Sequence, residues 1–278
     1  MDNLQMSSAE DAYYKEGKVA VTGASSLLSS GSKWLNSPLL RDLVAQDFLR
    51  RNGEDVGVLQ LVPEVMNEFH RLLDTREVEG IMGEERACNG DFSAWLERNE
   101  QTLLDLEAAV EYPEGTLGAV VYAFYRETGF EQVPAFRDLK PSSDFELYNR
   151  QRTLVHDVEH LVTGFGTDPA GELGMMYLYM QLNARYFSPE LAGLLNFVHA
   201  YLSSSWMMRT SLYYPAVTTA FMESIASGLE MAQAIKRPLP LADWSCYFAW
   251  PLEDVRAALN ITPVDGARWA WTENAWRG

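Results

Sequence analysis

Three observations predict an all-α fold for this chain of 278 residues. Apolar residues recur at helical spacing along most of the chain, and nowhere does a period-two alternation persist between hairpin signals. Proline, serine and glycine stand where helices start and stop. No repeat occurs at solenoid spacing. The reading is a single multi-helix domain of about eight to ten helices.

Each element follows from local signals. Residues 1–35 carry little periodicity and include the flexible run SSLLSSGS, which predicts a loose arm. Ser37 and Pro38 cap and open a helix that runs to near Gly53. A second helix is expected over 58–74. Gly80, Gly83 and Asn89-Gly90 predict a loop region. Helical spacing returns near 92–110, and Pro113 is expected to open a helix ending at Gly129. Ser143-Asp144 starts a long helix to Thr163. Gly164, Gly166, Pro169 and Gly171 then force a tight turn, with Pro169 able to open the next helix. Helical pattern continues through Met175–Phe187, about 190–208, about 216–236, and from Pro251 to near Asn260. Boundaries follow at 1–35 for the arm, 36–262 for the domain and 263–278 for a Trp-rich tail.

Charge narrows the function. The chain has 22 Lys and Arg against 39 Asp and Glu, a net −17. Residues 1–140 hold 25 acids and 13 bases, net −12, and residues 141–278 hold 14 acids and 9 bases, net −5. This excludes nucleic acid as a partner, because phosphate binding needs a basic face, and it opposes docking on anionic lipid through a polybasic patch. Two cysteines, Cys88 and Cys246, make no disulfide framework and fit a reducing compartment. The N-terminus lacks the basic and apolar regions of a signal peptide, and Leu191–Met208 is interrupted by Asn196, His199 and Ser203. A cytoplasmic protein is expected, with any peripheral contact at the inner membrane made through apolar surface.

Residues 173–231 depart from the average. Only Arg185, Glu190, Arg209, Glu223 and Glu230 are charged there, five residues in 59. Helices this apolar are buried on more than one side. Two readings stand: the core of a large bundle, or an apolar channel for a lipid-like ligand. Methionines such as Met175, Met176 and Met180 suit both, since methionine fills irregular space.

The chemistry concentrates at His156. The chain has four histidines, and His156 and His160 are four apart. On a helix they lie about 40° apart, so both imidazoles reach one ion. Asp157 lies about 100° from His156, at the edge of the same face. An antiparallel return through the glycine-rich turn brings Glu172 beside them. Two imidazoles and two carboxylates suit zinc or another divalent ion (Mg, Fe, Mn or Co), and leave room for water or substrate. The bland alternative is a histidine pair capped by neighbouring acids. His70 reads as a surface residue and His199 as a hydrogen-bonded core residue. His156-x-x-Glu159-His160 also fits the inverted zinc-peptidase pattern, with Glu159 as general base. Arg152, one turn before His156, is either a clamp for an anionic head group or an intrahelical partner of Glu159. Tyr148 lies near the same stripe and offers a hydrogen bond.

These residues resemble a known family. His156-Asp157-x-x-His160, eleven residues, then Glu172 is similar to the metal motif of the ubiquinone (coenzyme Q) biosynthesis family called the Coq-four family. Pro113–Gly118, Tyr148–Arg152, Leu161–Phe165, Trp244 and Pro251–Arg256 resemble flanking family patterns, so the likeness spans about 36–262. The resemblance implies an all-α fold with a divalent metal under an isoprenoid-binding channel. Its ligands would be His156, Asp157, His160 and Glu172, and those four with Arg152 would form the catalytic set. Substrate contacts are expected at Arg152, Tyr148, Met175, Met176 and Tyr179. The implied activity is C1 decarboxylation of a polyprenyl hydroxybenzoate. The implied partners are a polyprenylated aromatic or isoprenoid lipid and other quinone-biosynthesis proteins. A non-catalytic lipid-binding scaffold is the alternative, and the oligomeric state stays open.

Overall fold

The computed structural model describes residues 31–52, 61–98, 108–129 and 140–277. The expected arm falls outside the described residues up to residue 30, as do the expected helix start at 58 and the stretch 99–107. The architecture is all-α: among the described residues there is no strand beyond one isolated bridge between Thr116 and Pro251. None of the described helices is long and apolar enough to cross a membrane. The described residues fall into two compact units, 31–47 with 61–72, and 48–52 with the described part of 73–277.

The smaller unit holds most of α1 (Pro38–Leu49) and α2 (Val62–Leu72). Ser37 caps α1 as expected: its Oγ accepts from the Leu40 N–H at 3.1 Å and donates to Glu68 Oε1 at 2.6 Å. Arg71 pairs with both Glu68 oxygens at 2.6 Å, and Trp34 meets Phe69 edge-on. The Arg71 and Ser37 hydrogen bonds hold the Glu68 carboxyl down at about 2. His70 is exposed.

The larger unit begins with α3 (Thr75–Cys88) and α4 (Gly90–Arg98). The chain does break at Asn89, but the loop predicted around Gly80 and Gly83 is a helix. Gly80 and Gly83 lie on its exposed side, where a glycine costs about 1 kcal/mol against alanine without breaking the helix. The Asp74 cap and the buried face of Val78, Met82 and Glu85 outweigh that cost. Helix α5 (Leu117–Thr128) starts four residues later than Pro113 predicts. Gly115 takes φ +83 and Thr116 is the cap; around it the Leu117 and Gly118 N–H groups donate to the Trp250 and Phe248 carbonyls, and the Gly115 carbonyl accepts from Leu252 N–H.

The long helices follow. α6 (Asp144–Thr163) is capped by Ser143 and closed by Gly164 at φ +80. α7 (Pro169–Tyr186) starts at Pro169 behind an Asp168 cap, six residues before the strongest periodicity. α8 (Pro189–Tyr213) and α9 (Thr218–Ala234) complete the charge-poor segment. α10 (Trp244–Tyr247), α11 (Leu252–Leu259) and α12 (Thr272–Arg277) finish the chain.

α7 is buried nearly all round: Leu173, Met175, Leu178, Tyr179 and Leu182 all sit in the main core. α7 and α9 approach backbone to backbone. A Cβ at Gly228 would fall on the Gly174 carbonyl, one at Gly174 on Phe165 and Ser224, and Ser224 Oγ donates to the Ala170 carbonyl. A second core joins α3 and α4 to the start of α6 and α8, around Phe92, Trp95, Tyr148, Phe187 and Leu195. The Trp-rich tail packs inward: Trp269 and Trp276 are buried in the main core.

Two predictions follow. Gly228→Ala will destabilise the larger unit by about 1–3 kcal/mol through overpacking, read as a lower urea midpoint at unchanged slope. The depressed Glu68 carboxyl stabilises the smaller unit above about pH 4.5, and that stabilisation is lost as pH falls toward about 2. Hydrogen exchange over residues 38–47 and 62–72, corrected for intrinsic rates, will show lower protection in Glu68→Gln than in the parent at pH 6, with the gap closing toward pH 2.

Candidate metal centre

The site is made by the reversal between α6 and α7. Gly164 in the left-handed conformation ends α6, and Asp168 Oδ1 accepts the Ala170 and Gly171 N–H groups to start α7. This places His160, in the last turn of α6, opposite Glu172, in the first turn of α7.

His156, His160 and Glu172 converge as the helix geometry predicts. Nε2 of His156 and Nε2 of His160 are 3.1 Å apart, and each lies 3.4 Å from a Glu172 oxygen, His156 from Oε2 and His160 from Oε1. Among the described residues this is the one cluster of three His, Cys, Asp or Glu side chains that could hold an ion. His160 is buried, while His156 and Glu172 keep 35% and 25% of their side-chain surface, so the cluster opens on one side.

The outer nitrogens decide which way the inner ones point. His160 Nδ1 lies 3.2 Å from the Phe165 carbonyl oxygen, so it carries the proton and donates. Tyr179 donates its hydroxyl proton to Glu159 Oε2, which leaves its oxygen to accept from His156 Nδ1 at 3.2 Å. Both Nε2 atoms therefore turn lone pairs toward each other and toward a carboxylate. Three such donors cannot sit this close without positive charge between them. A tetrahedral ion with bonds of about 2.0–2.1 Å holds its ligands about 3.3 Å apart, which matches the 3.1 and 3.4 Å edges. The donor set therefore fits a divalent ion. The charges agree: burial opposes ionisation of both groups, yet Glu172 is held well below the usual carboxylate range by His160 and His156, and Glu172 raises His160.

The surrounding residues have distinct places. Asp157 is not in the three-residue cluster; its Oδ2 accepts the Tyr125 hydroxyl at 2.8 Å. Glu159 is fully buried, and its Oε1 has no hydrogen-bond partner. Burial pushes its carboxyl up to about 8 against the Tyr179 hydrogen bond and the His160 and Arg152 charges. A zinc-peptidase base must face water at the ion, and Glu159 instead anchors Tyr179 inside the core. Arg152 Nη1 donates to the Leu195 carbonyl at 3.2 Å, and no ion pair joins it to Glu159. Tyr148 is buried among Phe92, Trp95 and Phe187, its hydroxyl 3.5 Å from Asn183 Oδ1. Met175 and Met176 lie in the main core, with Met175 Sδ contacting the Thr163 hydroxyl. His199, expected to be hydrogen-bonded, instead stacks on Tyr179 with its Nδ1 buried and unpartnered, and burial lowers its pKa far below the ordinary value.

Tyr125, Glu159 and His199 escaped the sequence reading as supports of this site. Glu159 had a signal, as a carboxylate inside the histidine motif. Tyr125 and His199 come from other helices, and no spacing rule reaches them.

No family model matches this chain, and no curated protein matches it. A solved structure does: the crystal structure of a Nostoc punctiforme PCC 73102 protein provisionally assigned to ubiquinone biosynthesis, with a TM-score of 0.58 and 20% identity over 80% of this chain and 94% of that one. At this identity the likeness establishes a shared all-α fold.

Tyr179→Phe removes the hydroxyl that orients His156 and leaves both Glu159 oxygens unpaired. Metal affinity will fall about 10–100-fold, the range for losing a residue that orients a ligand, as measured by chelator competition. Glu172→Gln will lose more.

Proposed function

We propose that this chain is a metal-dependent protein of ubiquinone or related prenylated-quinone biosynthesis, acting on the ring of a polyprenyl hydroxybenzoate with loss of its C1 carboxyl group. One observation carries the reading: two imidazoles with outward-fixed Nδ1 protons share a 3.1–3.4 Å triangle with the Glu172 carboxylate, open on one side. The assignment of the Nostoc punctiforme neighbour supports the pathway.

His156, His160 and Glu172 would hold the ion, zinc by donor chemistry, with Asp157 as a further carboxylate at the rim. A bound divalent ion supplies Lewis-acid stabilisation of negative charge developing on the ring. Arg152 is held by the Leu195 carbonyl through one of its five N–H donors, and the others serve the benzoate carboxylate. The C1–carboxyl bond breaks, carbon dioxide leaves, and C1 takes a proton. Met175, Met176 and the apolar helices beside them would take the prenyl tail, and Tyr179 the ring edge. With no membrane-crossing helix among the described residues, such a substrate would be met peripherally at a membrane, beside other enzymes of the pathway.

The test is deletion of the gene with profiling of quinone intermediates, followed by rescue. The parent gene will restore quinone, while His156→Ala and Glu172→Gln will accumulate the carboxylated precursor. Rescue by metal-free His156→Ala would refute the scheme. Copurified lipid and metal with no turnover would point to a carrier instead.

A further inference from the structure

The tail at 263–277, for which the sequence offered no role, is bound to the corner that makes the metal cluster. Val264 N–H donates to the Thr163 carbonyl at 2.9 Å, and Gly266 N–H to the Gly164 carbonyl at 3.1 Å. Both acceptors belong to the end of α6, whose last carbonyls have no partner within the helix. The Trp269 ring stacks on Phe165 at 6.0 Å and 12°, and Phe165 supplies the carbonyl that orients His160. The Thr272 hydroxyl donates to Asp168 Oδ1 at 2.8 Å, on the same oxygen that starts α7 and so places Glu172. Thr272 and Trp269 are buried, and Gly266 packs so tightly that a Cβ there would strike the Gly164 carbonyl and the Gly166 nitrogen.

We infer that the docked tail, through Thr272 and Gly266, positions His160 and Glu172, so that tail docking and metal binding are energetically coupled. Neither Thr272 nor Gly266 touches the cluster; both act through the 164–168 corner. Each ligand is set by a group within that corner: His160 by the Phe165 carbonyl, Glu172 by the helix start at the Asp168 side chain. Loosening the corner lets the two ligands drift apart while each helix stays folded on the core through its own apolar face. Coupling is reciprocal, so an ion that draws the corner together must also tighten the tail.

This inference rests on the metal reading, and its test separates the two. Zinc affinity is measured by chelator competition on the full chain, with backbone hydrogen exchange followed with and without zinc. Thr272→Val keeps the side-chain shape without the donor, and Thr272→Ser keeps the donor. The expected result is about a 10-fold loss of zinc affinity in Thr272→Val, near-parent affinity in Thr272→Ser, and slower exchange at Val264 and Gly266 in the parent when zinc is added. Because the exchange arm uses the unaltered chain, it holds even if Thr272→Val folds poorly. Equal affinity in parent and Thr272→Val, or zinc binding by the parent with unchanged exchange over 263–277, overturns the latch and leaves the metal centre standing. A parent chain that takes up no zinc overturns both.

Discussion

A hydrogen bond of 3.2 Å from His160 Nδ1 to the Phe165 carbonyl turns one side chain of this protein into an oriented donor, and the arrangement of the site grows from it. The bond exists only because Gly164 takes a positive φ and swings the chain back over the end of α6. The same reversal sets the C-terminal end of one helix against the N-terminal end of the next. A carboxylate in the first turn of α7 is favoured by the positive end of that helix, and positive charge drawn to the His160 imidazole, in the last turn of α6, by the negative end of its own. Electrostatics of the backbone and donor chemistry of the side chains thus favour the same placement.

Such a corner is useful only if the helices that carry it cannot slide. The glycine and serine contacts between α7 and α9 bring backbones to van der Waals distance, where no side chain remains to repack. Tyr179 ties α7 to α6 through His156 and Glu159, and His199 on α8 covers its ring. The polar groups that orient the ligands are therefore buried, at the cost of two unpartnered atoms, Glu159 Oε1 and His199 Nδ1. Unpartnered buried groups are rare in native folds because each forfeits its hydration without a replacement.

The net charge of −17 takes on a clearer meaning beside this architecture. Few of the acids lie in the segment that builds the core, and Glu172 is held charged within the cluster. The buried acids Glu68, Glu159 and Asp168 each accept hydrogen bonds inside the fold. Cys88 and Cys246 are exposed and form no disulfide, and Cys246 Sγ donates to Asp243 Oδ2 at 3.3 Å.

The sequence by itself determined the helical class, the caps at Ser37 and Ser143, the helix start at Pro169, the stop at Gly164 and the meeting of His156, His160 and Glu172. All of these are local: they depend on 3.6-residue periodicity, on backbone conformations open to few residues, and on a turn short enough to leave one outcome. The helix at Thr75–Cys88 was hidden because glycine's cost is a local quantity, while the burial that outweighs it is not. The late start of α5 at Leu117 likewise follows from hydrogen bonds to Phe248, Trp250 and Leu252, far along the chain. Only the tertiary structure decided that Asp157 turns to Tyr125, that Glu159 anchors Tyr179 in the core, and that the tail grips the 164–168 corner. Those outcomes depend on which distant groups arrive beside them, and arrival is set by packing, which spacing along one segment does not encode.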